Sequence, residues 1–458
     1  MSNQCLVVTS QNVLLPGSDE PQAATITVNI GTGKITDIQT VYTERSPGEE
    51  TTFIDAGEKF VLPGLVDAHV HLNEPGRTDW EGFWTGTRAA VGGGITTVVD
   101  MPLNSIPPTT TLRNLEIKRQ TAEGQCWSDV GFWGGVIPGN QADLKPLVAA
   151  GVKGFKCFLI ESGVEEFPCV LEHDLHEHMQ ELQDQSTVLL FHAELEGDSS
   201  VQNHEDHDPT AYQTFLSSRP QELEVNAISL ITRLQEKYNS LRCHIVHLSA
   251  SSALPIIRAA RSRGLNLTVE TCFHYLCLSA DSIPNGRPEF KCCPPIRSES
   301  NRDALWDALI DGTIDCVVSD HSPCVAELKK FEEGNIMTAW GGINSLGFGL
   351  SLLWTESRRR GVSLGQIIRW TSEQTAKHAG LSSSKGQLSV GHDGDLVIWD
   401  PAAEFKVSKE HFHFKNKFSA FEGMVLNGVV QQTFLRGRVA YDRTQNGFEG
   451  ITPIGKFL

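Results

Sequence analysis

His69 and His71 close an apolar run, GLVDAHVHL, two residues apart. On an extended strand, side chains with that spacing point to one side. Two neutral imidazoles facing the same place can ligate one divalent ion. The spacing alone carries little weight, because 16 histidines in 458 residues give roughly half an H-x-H pair by chance. Two further pairs, His176 with His178 and His411 with His413, lie among charged residues, and solvated surface is the expectation for both. Company distinguishes His69 and His71. Lys156 in GFKCF, His192 in LLFHAE, His247 in HIVHLS and Asp320 in VVSDHS each end an apolar, strand-like run with one polar or charged group. A single buried histidine is usually satisfied by a neighbouring hydrogen-bond partner. Five runs ending alike point instead to joint metal binding.

Lys156 is the unusual member, since an ammonium would repel the ions. Desolvation can give a neutral amine that attacks a carbonyl substrate, as in a Schiff-base aldolase. That alternative stays open to borohydride trapping. The neutral amine can instead take up carbon dioxide and become a carbamate whose two oxygens each hold a metal, and the surrounding histidines favour this second route. His69, His71, carboxylated Lys156 and Asp320 would hold one ion. Lys156, His192 and His247 would hold the other, at the two-metal separation of roughly 3.5–4 Å. Zinc suits this mixed nitrogen and oxygen set, as do cobalt, manganese and iron. Asp320 can also take a proton from the attacking water and pass it to a leaving nitrogen. The reaction class is hydrolysis at a carbonyl carbon.

Such a ring needs a scaffold that brings distant runs to one rim. Eight strand candidates, at 60–69, 95–100, 130–136, 154–158, 188–194, 243–249, 265–272 and 315–322, alternate with amphipathic helical patterns. Alternation predicts a parallel α/β sheet. Eight repeats predict a (β/α)8 TIM-like barrel over residues 60–385, with the chemistry at the C-terminal strand ends. Residues 1–59 and 386–458 read as short strands with Gly, Asn and Asp turns, and predict one small β-sandwich accessory domain.

The formal net charge of −18 comes from 38 basic and 56 acidic residues, the acidic ones scattered. Without clustered Lys and Arg, neither nucleic acid nor an anionic membrane surface is an expected partner. A small-molecule substrate is. Eleven irregularly spaced cysteines predict a reduced, intracellular setting. The opening MSNQCLVVTSQNVLL has no Arg-rich leader and the closing IGKFL no peroxisomal tripeptide, so the cytosol is the default expectation.

Taken together, VDAHVHLNEPG, GFKCF, FHAE, IVHLS and SDHSPC resemble the binuclear amidohydrolases that open cyclic amides: allantoinases, dihydroorotases, dihydropyrimidinases and hydantoinases. The resemblance extends from LPG before the first strand to GQLSVGHDGDLVIWD near the end. It implies N6-carboxylysine at Lys156, two divalent ions per chain and a homo-oligomer, commonly a tetramer. Finer features resemble the allantoinases. Asn73 stands where dihydroorotases carry an arginine for the substrate carboxylate, MPLN and SDHSPC match, and Glu161 falls where dihydropyrimidinases place a tyrosine. The resemblance then implies opening of the hydantoin ring of allantoin to allantoate. A dihydropyrimidinase or hydantoinase is the alternative enzyme, and a non-catalytic scaffold the alternative class. Asn73, Asn104, His274, Cys293 and the GGINS stretch at 341–345 are the expected substrate contacts, with Cys293 standing where the common KCSPPIR motif has serine.

Overall fold

The computed structural model describes residues 4–44, 51–197 and 208–458. The apolar runs of the middle region form parallel strands in two sheets. Leu65–Val70, Ile95–Asp100 and Asp129–Phe132 make one. Gly134–Gly135, Phe155–Phe158, Val188–His192, Arg242–Ile245, Leu267–Cys272 and Cys316–Val318 make the other, side by side in chain order. Strands such as Leu65–Val70 and Val188–His192 are buried at every position, which is why they read as continuous apolar runs rather than alternating ones. The sheets are hydrogen-bonded to each other at both margins. Lys153 N donates to Phe132 O at 2.9 Å, and across the other margin His71 N donates to His321 O at 2.9 Å.

Helices fall between the strands, and the longest shows why. Glu222–Lys237 buries Leu223, Ala227, Ile228, Ile231 and Leu234, a stripe of three- and four-residue spacing. Thr111 and Ser298 start two others by accepting the backbone N–H of Asn114 and Asn301, groups that a first helical turn leaves open. No described helix is long and apolar enough to cross a membrane.

The two terminal regions meet in one eight-stranded sheet with its own core, including Val8, Ile26, Val61, Ile398 and Phe434. Phe60–Pro63 lies at the junction, parallel to Cys5–Val13 and antiparallel to Leu396–Lys406. The run at 60–69, expected as one strand, is therefore two. Gly64 separates them, where a Cβ would fall 2.1 Å from Thr96 Oγ1. Residues 1–3 and 45–50 of the N-terminal segment lie outside the described residues. A buried ionic clasp fastens this sheet to the parallel strands: Lys385 Nζ lies 2.6 Å from Asp129, 2.8 Å from Asp395 and 2.9 Å from Asp393, and Arg436 also pairs with Asp129.

The surface expectation for the other histidine pairs is overturned. His176 and His178 lie on the helix Glu172–Leu182, where residues two apart face different sides. His178 is fully buried between Asp174 O (2.5 Å) and Asn140 Oδ1 (3.2 Å), while half-buried His176 meets the Tyr238 hydroxyl at 2.9 Å. His411 and His413 are half-buried against Phe405 and against Tyr441 and Phe448.

Candidate metal centre

His69, His71, Lys156, His192, His247 and Asp320 are all buried and line one cavity of about 290 Å³. Strand register explains the convergence. His69 lies inside Leu65–Val70 and His71 just past it; Lys156 lies inside Phe155–Phe158, and His192 ends Val188–His192. His247 and Asp320 each stand two residues beyond Arg242–Ile245 and Cys316–Val318. Both leave their strands with a left-handed backbone, φ 40° and 42°, a conformation that non-glycine residues hold only when their surroundings enforce it.

Asp320 Oδ1 lies 3.2 Å from His69 Nε2 and 3.5 Å from His71 Nε2. One ligand atom from each of the three falls within 4.8 Å of the others. Ring centroids of His69 and His247 are 5.5 Å apart, and those of His192 and His247 4.6 Å. Burial pushes His71 down to about 4 and also lowers His192 and His247, so these imidazoles carry free lone pairs at neutral pH, the form that binds metals. Burial likewise lowers Lys156 to about 8, against the pull of Asp320 and Glu270. For Asp320 burial opposes ionisation, but the imidazoles of His69 and then His71 hold its carboxyl at about 2.

Behind these six side chains stand groups that sequence reasoning missed. Glu270 Oε1 lies 2.5 Å from His69 Nδ1 and its Oε2 lies 3.1 Å from His244 Nε2, which turns His69 so that Nε2 faces Asp320. Glu194 meets His192 Nε2 at 2.7 Å and is itself paired with Arg219. Phe158, opposite His192 in strand register, stacks on its ring at 4.4 Å. Asp67 Oδ1 accepts from His69 N at 3.2 Å and Ser319 N at 3.3 Å, joining two neighbouring strand ends. Glu270 and Glu194 were visible as carboxylates inside apolar runs, LTVETC and LFHAE. The wall residues Arg219, Lys291 and Trp340 lie outside the strand runs, and no periodicity marks them.

The expected substrate contacts divide. Asn104 lines the cavity, its Nδ2 3.3 Å from His71 Nδ1 and its Oδ1 buried without a hydrogen-bond partner among the described residues. Cys293, Gly341, Gly342 and Glu161 also line it. Asn73 and His274 are buried outside the wall: Asn73 Nδ2 donates to Pro323 O at 3.2 Å, and neither ring nitrogen of His274 has a hydrogen-bond partner among the described residues. Ser345, at the end of GGINS, uses its N–H on His321 Nδ1 at 3.1 Å.

The chain is similar to known proteins over most of its length. An allantoinase of Saccharomyces cerevisiae is 49% identical over 458 residues, covering 98% of each chain. One of Aquarana catesbeiana, described as mitochondrial, is 56% identical over 335 residues, 73% of this chain and 69% of its own. The solved L-hydantoinase (dihydropyrimidinase) of Arthrobacter aurescens superposes with a TM-score of 0.90 at 30% identity, covering 98% of this chain and 99% of that one. Residues 60–440 match the amidohydrolase family model, and the chain belongs to the amidohydrolase family.

Proposed function

We propose that the chain is an allantoinase, which hydrolyses the hydantoin ring of allantoin to give allantoate. The observation that carries the chemistry is the convergence of six buried ligand-type side chains on one cavity. The allantoinases at 49% and 56% identity support the substrate.

The residues fit two divalent ions, most simply Zn²⁺. His247 Nδ1 is buried without a hydrogen-bond partner among the described residues, the imidazoles lowered by burial are neutral, and Asp320 is ionised. His69, His71, Lys156 and Asp320 would hold one ion, and Lys156, His192 and His247 the other. Lys156 suits this only as its carbamate. A neutral amine attacks carbon dioxide, forms an N–C bond and releases a proton, and burial raises the fraction of Lys156 in that neutral form. Bound ions supply carbonyl polarisation and an acidified water. Asp320 does the proton work: Oδ1 converges with His69 and His71 Nε2 on the point where an ion would sit, leaving Oδ2 to accept the proton of the attacking water and return it to the leaving ring nitrogen. Asn104, Cys293 and the backbone at Gly341 and Gly342 offer uncharged donors and acceptors for ring and ureido amides. Asn73 and His274 act from behind the wall as positioning residues.

The same reading takes residues 65–385, without the Phe60–Pro63 strand that joins the terminal sheet, as a (β/α)8 barrel, supported by hydrogen bonds at both margins between the parallel sheets. The described residues of 1–63 and 386–458 form the accessory β-domain, the chain assembles as a homotetramer, and its setting is the cytosol.

The test is allantoate formation by zinc-supplemented protein, with dihydrouracil, dihydroorotate and a chelated sample alongside. Chelator-sensitive turnover of allantoin alone is expected, and Asp320→Asn should abolish it while leaving the fold unchanged. Turnover of dihydrouracil instead overturns the substrate, and full activity in the Asn variant overturns the proton route.

A further inference from the structure

A second cavity, of about 360 Å³, opens between the helix Phe83–Gly92, the segment 346–351 and the terminal sheet, and none of the six metal-centre residues lines it. Part of its wall is glycine backbone that has no room for side chains. A Cβ on Gly92 would lie 2.7 Å from His413 Cδ2, and one on Gly93 2.3 Å from Gly347 Cα. Phe348 and Val430 add an apolar face. The cations on the polar side are Arg443 in the wall and Arg88 and Lys417 near it, while burial keeps the His413 ring neutral at ordinary pH. Arg443, His411 and His413 line the cavity, with Arg88 and Lys417 close enough to bear on His413, and Glu410 is the one carboxylate lining it. Beyond the Tyr441 hydroxyl, Arg443 has no ion pair among the described residues. The His413 ring meets only the aromatic rings of Tyr441 (6.0 Å) and Phe448 (5.2 Å) among them.

Three cations, Arg443, Arg88 and Lys417, stand at or near a pocket with one lining carboxylate, Glu410, and in a chain of net charge −18 such a local excess attracts an anion. The planar guanidinium fork of Arg443 matches a carboxylate, and the glycine-backed apolar side accepts something flat. We propose that this cavity is a second small-molecule site, which binds an organic monoanion carrying a carboxylate on a flat apolar body.

The walls of the two cavities are one continuous segment. Gly341 and Gly342 line the metal centre, and Leu346 and Gly347 line the second cavity. Between them, the N–H groups of Ser345 and Leu346 donate to His321 Nδ1 at 3.1 and 3.3 Å, and His321 adjoins Asp320. An anion seated against Leu346 therefore acts on the segment that fixes the neighbour of Asp320, and the site is an effector site.

Calorimetric titration of the zinc-loaded full chain with benzoate, and with neutral benzamide, tests the proposal in wild type and Arg443→Gln. Arg443 is exposed and remote from the metal centre, so the variant folds and turns over normally. Benzoate should bind wild type, weaken about tenfold or more in Arg443→Gln through loss of one charge-assisted hydrogen bond, and change KM or kcat of wild type but not of the variant. Benzamide should not bind. Absence of benzoate binding, or equal binding by both proteins, overturns the site. Binding that depends on Arg443 without any change in turnover overturns the coupling to Asp320. The binding arm needs no substrate, so it succeeds or fails independently of the proposed ring-opening activity.

Discussion

Replacing Glu270 with Gln isolates the role of a carboxylate that touches no substrate. Glu270 is fully buried and accepts from His69 Nδ1 at 2.5 Å, His244 Nε2 at 3.1 Å and His247 N at 3.4 Å. A glutamine keeps the shape but has one oxygen where the carboxylate has two, so one imidazole must change tautomer. His244 can do so, because Thr268 Oγ1, 2.7 Å from its Nδ1, both donates and accepts. His69 then keeps its orientation but loses a charged partner. Charge-assisted bonds contribute about 1.5–3 kcal/mol against about 0.5–1.5 for neutral ones, so the exchange costs about 1–2 kcal/mol. Loss of such outer partners lowers metal affinity or activity by about 10–100-fold. Zinc affinity measured against a competing chelator should fall within that range, kcat/KM should fall with it, and the circular dichroism spectrum should be unchanged. Glu270→Ala is harsher. It strands two buried imidazole N–H groups at about 1–3 kcal/mol each and should lower the urea midpoint as well. Wild-type zinc affinity and kcat/KM in Glu270→Gln would refute the reasoning, leaving Glu270 as a carboxylate that only fills its site.

Lys385→Met removes the cation that Asp129, Asp393 and Asp395 share. The uncompensated carboxylates should cost about 3–5 kcal/mol in urea unfolding, and an unchanged midpoint would show that Arg436 suffices. His413 is held down to about 4, first by burial and then by Arg88 and Lys417. As pH falls from the ordinary histidine value of about 6.5, the unfolded chain takes up the proton before the folded one does. Stability from this group is therefore complete above that value and lost on the way down to about 4. The loss at pH 4.5 is at most about 2–3 kcal/mol and smaller for a half-exposed ring. His413→Gln should flatten that part of the stability curve, and parallel curves for the two proteins would contradict it. Gly342→Ala places a Cβ 2.1 Å from Ser322 O, so the cavity wall must shift. A displacement near 1 Å costs about a hundredfold in kcat/KM, and normal kinetics would mean that this wall does not contact substrate.

The six ligand-type residues were legible because a parallel strand buried on both faces is written almost wholly in Val, Ile, Leu, Phe and Cys, against which His192 or Asp320 stands out. The same contrast exposes Glu270, inside LTVETC, yet its role could not be read. Lettering marks a polar residue in a buried strand but not what it faces, and Glu270 is joined to His69 by a hydrogen bond spanning 201 residues. Only the order of strands around the sheet brings those two together. His178 failed for the opposite reason, since its charged neighbours disguised a helix whose inner side it occupies. Loop residues were the least legible. Asn73 and Asn104 both adopt left-handed backbone, φ 62° and 63°, but one side chain ends on Pro323 O and the other beside His71 inside the cavity. Identical residue type and backbone conformation thus give different partners, because the packing of remote strands decides which side of the loop is the cavity. Ligand-type side chains on buried strands are therefore the part of such a site that a sequence displays, and the cavity's loop lining the part that only the folded loops define.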